Sequence, residues 1–285
     1  MVKIAVLLYG YIADCQRLVR KQYSNFDHFL LLKSKIMIKT KPTFFEQFYQ
    51  ALQDVEGGYD LLAPKFDQSR YITPDEILVP FFEKLAAEKG AFDNGIDICC
   101  GSGAASTYLI KRCREEFTAL DLSQGMLDQC EKKVNALNLA TQKFFVKSDA
   151  LDMPFENQFD VAVSFGAFGH ILAKDEEQFI AQVHKILKPG GHLFFITTEQ
   201  LPIWSISLWR QRLFNALIWV RNIIWRPKFI MYYLTFRLPK VKNKLESHGF
   251  KVEVLEDFKF ESEKDKISDL MHLKYFKMVK AEKIA

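Results

Sequence analysis

Residues 95–106 read GIDICCGSGAAS, an apolar run carrying Asp97 that passes directly into Gly101, Ser102 and Gly103. Glycines directly after a buried strand serve a chain that must turn sharply, bring its backbone close to a ligand and then enter a helix. Taken alone, the pattern fits several nucleotide-binding folds. Its neighbours narrow the choice. Asp121 closes the next apolar run, 18 residues past Gly103, where a carboxylate can accept from both hydroxyls of a ribose. Asp149 ends a third run in VKSDALDMPF (146–155), at the rim where an adenine would lie, and LKPGGHLFF (187–195) supplies a helix end, a Pro-Gly-Gly turn and a strand.

Outward from this stretch, short apolar runs alternate with amphipathic ones, the pattern of β-α-β units around a mostly parallel sheet. Strands are expected near 95–100, 117–121, 143–147, 160–165 and 192–198, with helices near 103–115, 125–137 and 175–187. DVAVSF (160–165) and HLFFIT (192–197) are continuously apolar, as strands buried on both faces should be. KVEVLE and YFKMVKA, after the helix LPKVKNKLESHG (238–249), are expected to add a terminal pair and bring the sheet to seven strands. Ahead of the glycine loop, TFFEQFYQAL (43–52) has helical spacing, with Gly57 and Gly58 expected to end that helix. In TPDEILVPFFEKLAAEKG (73–90), Thr73 reads as N-cap, Pro74 as first helical residue and Gly90 as terminator, while Pro80 should kink or split the helix.

Over roughly residues 59–200, and more weakly over the last 45, these motifs resemble the class I S-adenosylmethionine (SAM)-dependent methyltransferase family. The resemblance implies a Rossmann-like α/β fold with helices on both faces of the sheet and SAM as cofactor. It implies that Gly101, Ser102 and Gly103 lie under the methionine part and that Asp97 helps hold its amino group. Asp121, with Leu122 beside it, would bind the ribose. Asp149 would meet the adenine amine, with Ala150 and Leu151 beside the ring. Ser164, Phe165 and Gly166 would flank the methionine end and face the acceptor. Cys99 departs from the family, many of whose members have glycine there. LDLSQGML (120–127) is the form found in small-molecule and quinone methyltransferases of the family.

The organisation expected is an N-terminal helical and basic segment (1–70), a SAM-binding core (71–200), an insertion (201–240), and a C-terminal helix with the last two strands (241–285). The opening run MVKIAVLLYGYIADC is broken by Gly10 and Asp14 and is too short to span a bilayer, so it reads as a strand or buried helix. The insertion holds all four tryptophans, Trp204, Trp209, Trp219 and Trp225. From 201 to 251 there are ten Lys/Arg against Glu246, a local charge of +9 in a chain whose net charge is +4. LFNALIWVRNIIW (213–225) reads either as a helix buried along its apolar side with basic residues on its wet face, or as one lying among lipid headgroups. Five cysteines without C-x-x-C spacing fit a reducing cytoplasm and give no metal-ligand pattern.

The function expected is methyl transfer from SAM to a small, lipophilic acceptor, at oxygen, nitrogen or carbon, with peripheral membrane contact through 201–240. His170, just after the fourth strand, is the candidate general base for a hydroxyl or phenol acceptor. Phe165, Phe168 and Tyr71 are aromatic faces available to a sulfonium. A nicotinamide oxidoreductase should carry a complete G-x-G-x-x-G, where this chain has Ser106 third. A non-catalytic SAM-fold binder should have a damaged loop or no ribose carboxylate. DNA is disfavoured as acceptor because SFGAF (164–168) lacks the Asn/Asp-Pro-Pro-aromatic motif, and the basic insertion keeps RNA as a lesser alternative.

Overall fold

The computed structural model describes residues 41–285 except 44–45, 47–49, 51, 70, 225–227, 229–230, 233–234, 256–275 and 285. The expectations for the opening apolar run and the basic stretch up to residue 40, and for Trp225, lie outside the described residues.

Seven strands, β1 (Phe92–Ile98), β2 (Cys113–Asp121), β3 (Gln142–Lys147), β4 (Phe159–Ser164), β5 (Leu187–Thr198), β6 (Phe250–Leu255) and β7 (Phe276–Lys283), make one sheet. Its order is β3-β2-β1-β4-β5-β7-β6. All neighbours are parallel except β7, which is antiparallel to both β5 and β6. The central strands are apolar because both faces are covered: Ile96, Ile98, Val161, Ala162 and Val163 are all fully buried. The chain runs outward from β1 to β3 on one side and from β4 on the other, so β1 and β4 flank the topological switch point, and a ligand crevice opens beyond their C-terminal ends.

Helices α1 (Val55–Leu62), α2 (Asp75–Lys89), α3 (Ser106–Leu109), α4 (Gln124–Asn135), α5 (Glu176–Ile186), α6 (Ile206–Ile224) and α7 (Lys240–Ser247) complete the described architecture. One core cluster gathers Phe81 and Phe82 of α2 with Leu109, Phe117, Val161 and Phe194. The other gathers Ile96, Ile98, Phe159, Phe179 and Phe195 with Phe236.

Local expectations are corrected at four places. The helix expected over 103–115 shrinks to α3 and a 3-10 turn (Ile110–Arg112), because Cys113 already pairs with Phe92 of β1 and draws CREE into the sheet. Gly57 and Gly58 do not end a helix. They lie inside α1, which Asp54 opens by accepting the Gly57 N–H at 2.7 Å. In α2 the N-cap is Pro74 rather than Thr73, no side chain caps the end, and the helix continues through Pro80 without splitting. LKPGG lies within β5 as a register break, pairing Phe159 with Leu187 and then Val161 with His192, with Gly190 at φ +75°.

Candidate functional site

The glycine loop leaves β1 through three residues of left-handed backbone: Cys99 at φ +56°, Gly101 at +53° and Gly103 at +86°. A side chain on Gly103 would place its Cβ 2.7 Å from Cys130 Sγ and 2.9 Å from Cys130 Cα, so only glycine lets α4 approach. Over Gly101 a Cβ would meet no atom within 4 Å, which leaves the loop backbone open to a ligand. The loop is fastened to β2 by the Cys100 N–H, which donates to the Leu120 carbonyl at 2.9 Å.

Asp121 stands at the end of β2. Its Oδ2 accepts the Gly101 N–H at 2.8 Å and its Oδ1 the Ser123 N–H at 2.9 Å. Burial pushes this carboxyl above its ordinary range, against the pull of those N–H groups. A carboxylate has about four acceptor positions, so two remain for the hydroxyls of a ribose. Leu122 beside it is a solvent-exposed apolar side chain, and Asp149, also exposed, folds Oδ1 back to the Leu151 N–H at 2.9 Å with Ala150 buried next to it. Open backbone at the glycines, a carboxylate with acceptor capacity, and a rim of apolar and acidic side chains fit an adenosine-bearing cofactor.

Asp97 is 1% exposed, and its Oδ2 accepts the Ser106 hydroxyl at 2.6 Å. Burial pushes it up to about 7, offset in part by the Ser106 bond and reinforced by the charge of Asp121. It therefore sits beneath the loop and titrates near neutrality. Ser164 is also fully buried and donates to the Ile98 carbonyl at 3.0 Å, tying β4 to β1. Phe165 is buried against Phe81, ring centroids 5.3 Å apart. The side chains of Ser164 and Phe165 are thus spent on packing, and Gly166, exposed at φ +84°, is the residue that opens the backbone after β4.

His170 follows on that loop, half-buried, with Nε2 2.7 Å from the hydroxyl of Tyr59 and the two rings edge-to-face. Tyr59 belongs to α1, which no motif marks. The same segment is tied to the turn after β2 and to the glycine loop. Asp60 accepts from the Ser123 hydroxyl at 2.6 Å and the Gly125 N–H at 2.8 Å. Asp67 accepts from the Ser102 hydroxyl at 2.6 Å and pairs with Lys133 at 2.6 Å. These partners lie 35 to 111 residues apart in sequence with no periodic relation, so only their being two acids in DLLAPKFDQS hinted at them.

The insertion returns across the same end of the sheet. The Tyr232 N–H donates to the Gly169 carbonyl at 2.6 Å, the Thr235 hydroxyl donates to the Phe168 carbonyl at 2.5 Å, and Phe236 stacks on Phe168 with centroids 4.0 Å apart. His170 is thereby enclosed between α1 and the return of the insertion. Among the described residues no group of three or more His, Cys, Asp or Glu could hold a metal ion.

The family described as "Methyltransferase domain" matches residues 96–191, from β1 into β5. Among curated proteins, the chain is 31% identical over 155 residues to the demethylmenaquinone methyltransferase of Lactobacillus johnsonii, covering 52% of this chain and 62% of that one. It is 29% identical over 165 residues to the protein of that name from Lactiplantibacillus plantarum, covering 54% and 69%. The fold matches that of a S-adenosylmethionine-dependent methyltransferase from Clostridium acetobutylicum, with TM-score 0.52 at 14% identity, over 76% of this chain and 94% of that one. Residues 96–191 carry a methyltransferase domain, and the chain is similar to the class I SAM-dependent methyltransferases. Its sequence likeness is to the quinone-type members, of which it spans 62% of the first relative's length.

Proposed function

We propose that the chain transfers a methyl group from SAM to a small, lipophilic ring acceptor of the quinol or phenol kind, at a mouth between α1, the loop after β4 and the 201–240 insertion. The observation that carries this reading is the Tyr59–His170 pair at 2.7 Å, with His170 on the loop after β4, one of the two strands that flank the switch point. SAM, when bound, supplies a methyl already activated on a sulfonium, so the protein's task is alignment and exclusion of water. Gly101, Ser102 and Gly103 offer the backbone for its methionine part, Asp121 and Leu122 take the ribose, and Asp149 with Ala150 takes the adenine. Asp97 supports the loop from below, Ser164 and Phe165 set its floor, and Gly166 leaves room for the acceptor.

His170 accepts the proton of the acceptor hydroxyl, and Tyr59 orients its ring. The electron pair released by that proton makes the acceptor oxygen, or the ring carbon conjugated to it, nucleophilic enough for in-line displacement. The curated relatives named above support a quinone-like ring, and the Trp-rich insertion supports an acceptor that is taken from a membrane surface rather than from solution.

Incubation with SAM and a panel of short-chain naphthoquinols, simple phenols and primary amines, read by mass spectrometry, tests the reading. Methylated naphthoquinol or phenol is the expected product. Methylated amine alone would remove the role given to His170.

A further inference from the structure

We propose that α6 is an interfacial helix that seats the protein on an anionic lipid surface and turns the acceptor mouth toward it. This rests on the reading of the acceptor as lipophilic. The helix runs 19 residues, about 28 Å at 1.5 Å per residue. Ile206, Trp209, Leu213, Leu217, Val220 and Ile224 follow one another at intervals of three and four, so they form a single stripe along it. Every one of the six is between 43% and 71% exposed. The buried side of α6 is instead held by Ser207, Leu208, Ile218 and Asn222. A helix whose continuous apolar stripe points away from its own protein inverts the usual arrangement and corrects the expectation of an inward apolar side.

The borders of the stripe are basic. At 100° per residue, Arg210 falls on one side of it and Arg212 on the other, both exposed, with the Arg212 guanidinium 5.0 Å from the Trp209 ring centroid. Ahead of the helix, Trp204 is 81% exposed, and the Trp209 indole N–H is already satisfied by the Ile203 carbonyl at 2.9 Å. Aromatic and aliphatic side chains flanked by arginines, in a stretch of charge +9, are the chemistry of a helix lying at the headgroup level of anionic lipid. No described helix is long and apolar enough to cross a membrane. A second copy meeting this face about a two-fold axis would set the same arginine borders against each other.

The inner side of α6 connects this face to the site. Asn222 donates to the Tyr232 hydroxyl at 3.1 Å, and the Tyr232 N–H holds the Gly169 carbonyl next to His170. Arg221 donates to the Gln53 carbonyl at 3.2 Å, just ahead of α1 and Tyr59. Seating α6 therefore fixes both walls of the mouth relative to the lipid.

The test is co-sedimentation of the full chain with vesicles of phosphatidylcholine alone and of phosphatidylcholine with phosphatidylglycerol, alongside the double variant Leu213→Glu, Leu217→Glu. The wild type is expected to bind the anionic vesicles at least about tenfold better than the neutral ones, with binding weakened by salt. The double variant is expected to lose at least about tenfold of that binding while its S-adenosylhomocysteine affinity stays unchanged, which shows that it is folded. Wild type left in the supernatant with anionic vesicles, or a double variant that binds like wild type, would overturn the proposal. So would a wild-type dimer in solution that the double variant splits, without vesicle binding by either. Vesicle binding by a protein that fails to bind S-adenosylhomocysteine would instead sink the methyltransferase reading and leave the lipid surface standing.

Discussion

The Tyr59 hydroxyl lies 2.7 Å from Nε2 of His170 across 111 residues of chain, joining the first described helix to the loop beyond β4. A phenol acceptor bound there would meet a base already oriented by its partner. His170→Gln should lower kcat by about 100-fold or more, within the range of general-base contributions, with S-adenosylhomocysteine affinity unchanged. Activity of that variant should recover as pH rises toward the acceptor's own ionisation. A pH-independent loss would assign His170 to structure. Tyr59→Phe should cost kcat less, in the same direction.

Asp121 is the one carboxylate at the end of β2 whose two oxygens each already hold a loop N–H. Asp121→Ala removes both the ribose acceptor and the loop's anchor. It should weaken S-adenosylhomocysteine binding by about 1–3 kcal/mol, roughly 5- to 150-fold, measured by calorimetry. Unchanged affinity would take the ribose away from this residue.

Asp97, pushed up to about 7 by burial, binds a proton more tightly in the folded chain than in the unfolded one. Between about pH 4 and 7 the unfolded state releases that proton first, so its contribution to stability is present at low pH and is lost as pH rises through this window. The loss is on the order of 1–4 kcal/mol. Asp97→Asn has no proton to release, so its Tm in the absence of cofactor should gain on wild type steadily from pH 4.5 to 7. A constant difference across that range would show that Asp97 is ionised throughout.

Cys99 holds a left-handed backbone at φ +56°, which explains why glycine is the residue many family members place there. Cys99→Gly and Cys99→Ala both delete the thiol, and only Ala keeps a Cβ in that conformation. The Gly variant should be the more stable of the two, by up to about 1 kcal/mol in denaturant unfolding. The reverse order would mean that the loop relaxes when its side chain shrinks.

Sequence alone carried the architecture far. The strands at 142–147, 159–164 and 250–255 are marked by unbroken or alternating apolar runs, and the terminal antiparallel pair follows from two such runs after one short helix. Where a partner strand decides, periodicity failed: CREE has no strand pattern of its own, and only pairing with β1 from Phe92 onward makes it one. The places of the glycine loop, Asp121 and Asp149 at the ends of β1, β2 and β3 were legible because they are close in sequence to those strands. Those of Asp60 and Asp67 were not, since the Ser123 and Ser102 hydroxyls that use them come from other parts of the chain. Burial direction on α6 was equally invisible, because the same stripe serves an inward or an outward face.

The crevice beyond β1 and β4 is expected to bind the SAM family of cofactors. Calorimetric titration of the full chain with S-adenosylhomocysteine, with NADH titrated in parallel, tests it most directly. Micromolar binding of S-adenosylhomocysteine with none of NADH is the predicted result; binding of NADH alone, or of neither, would contradict it.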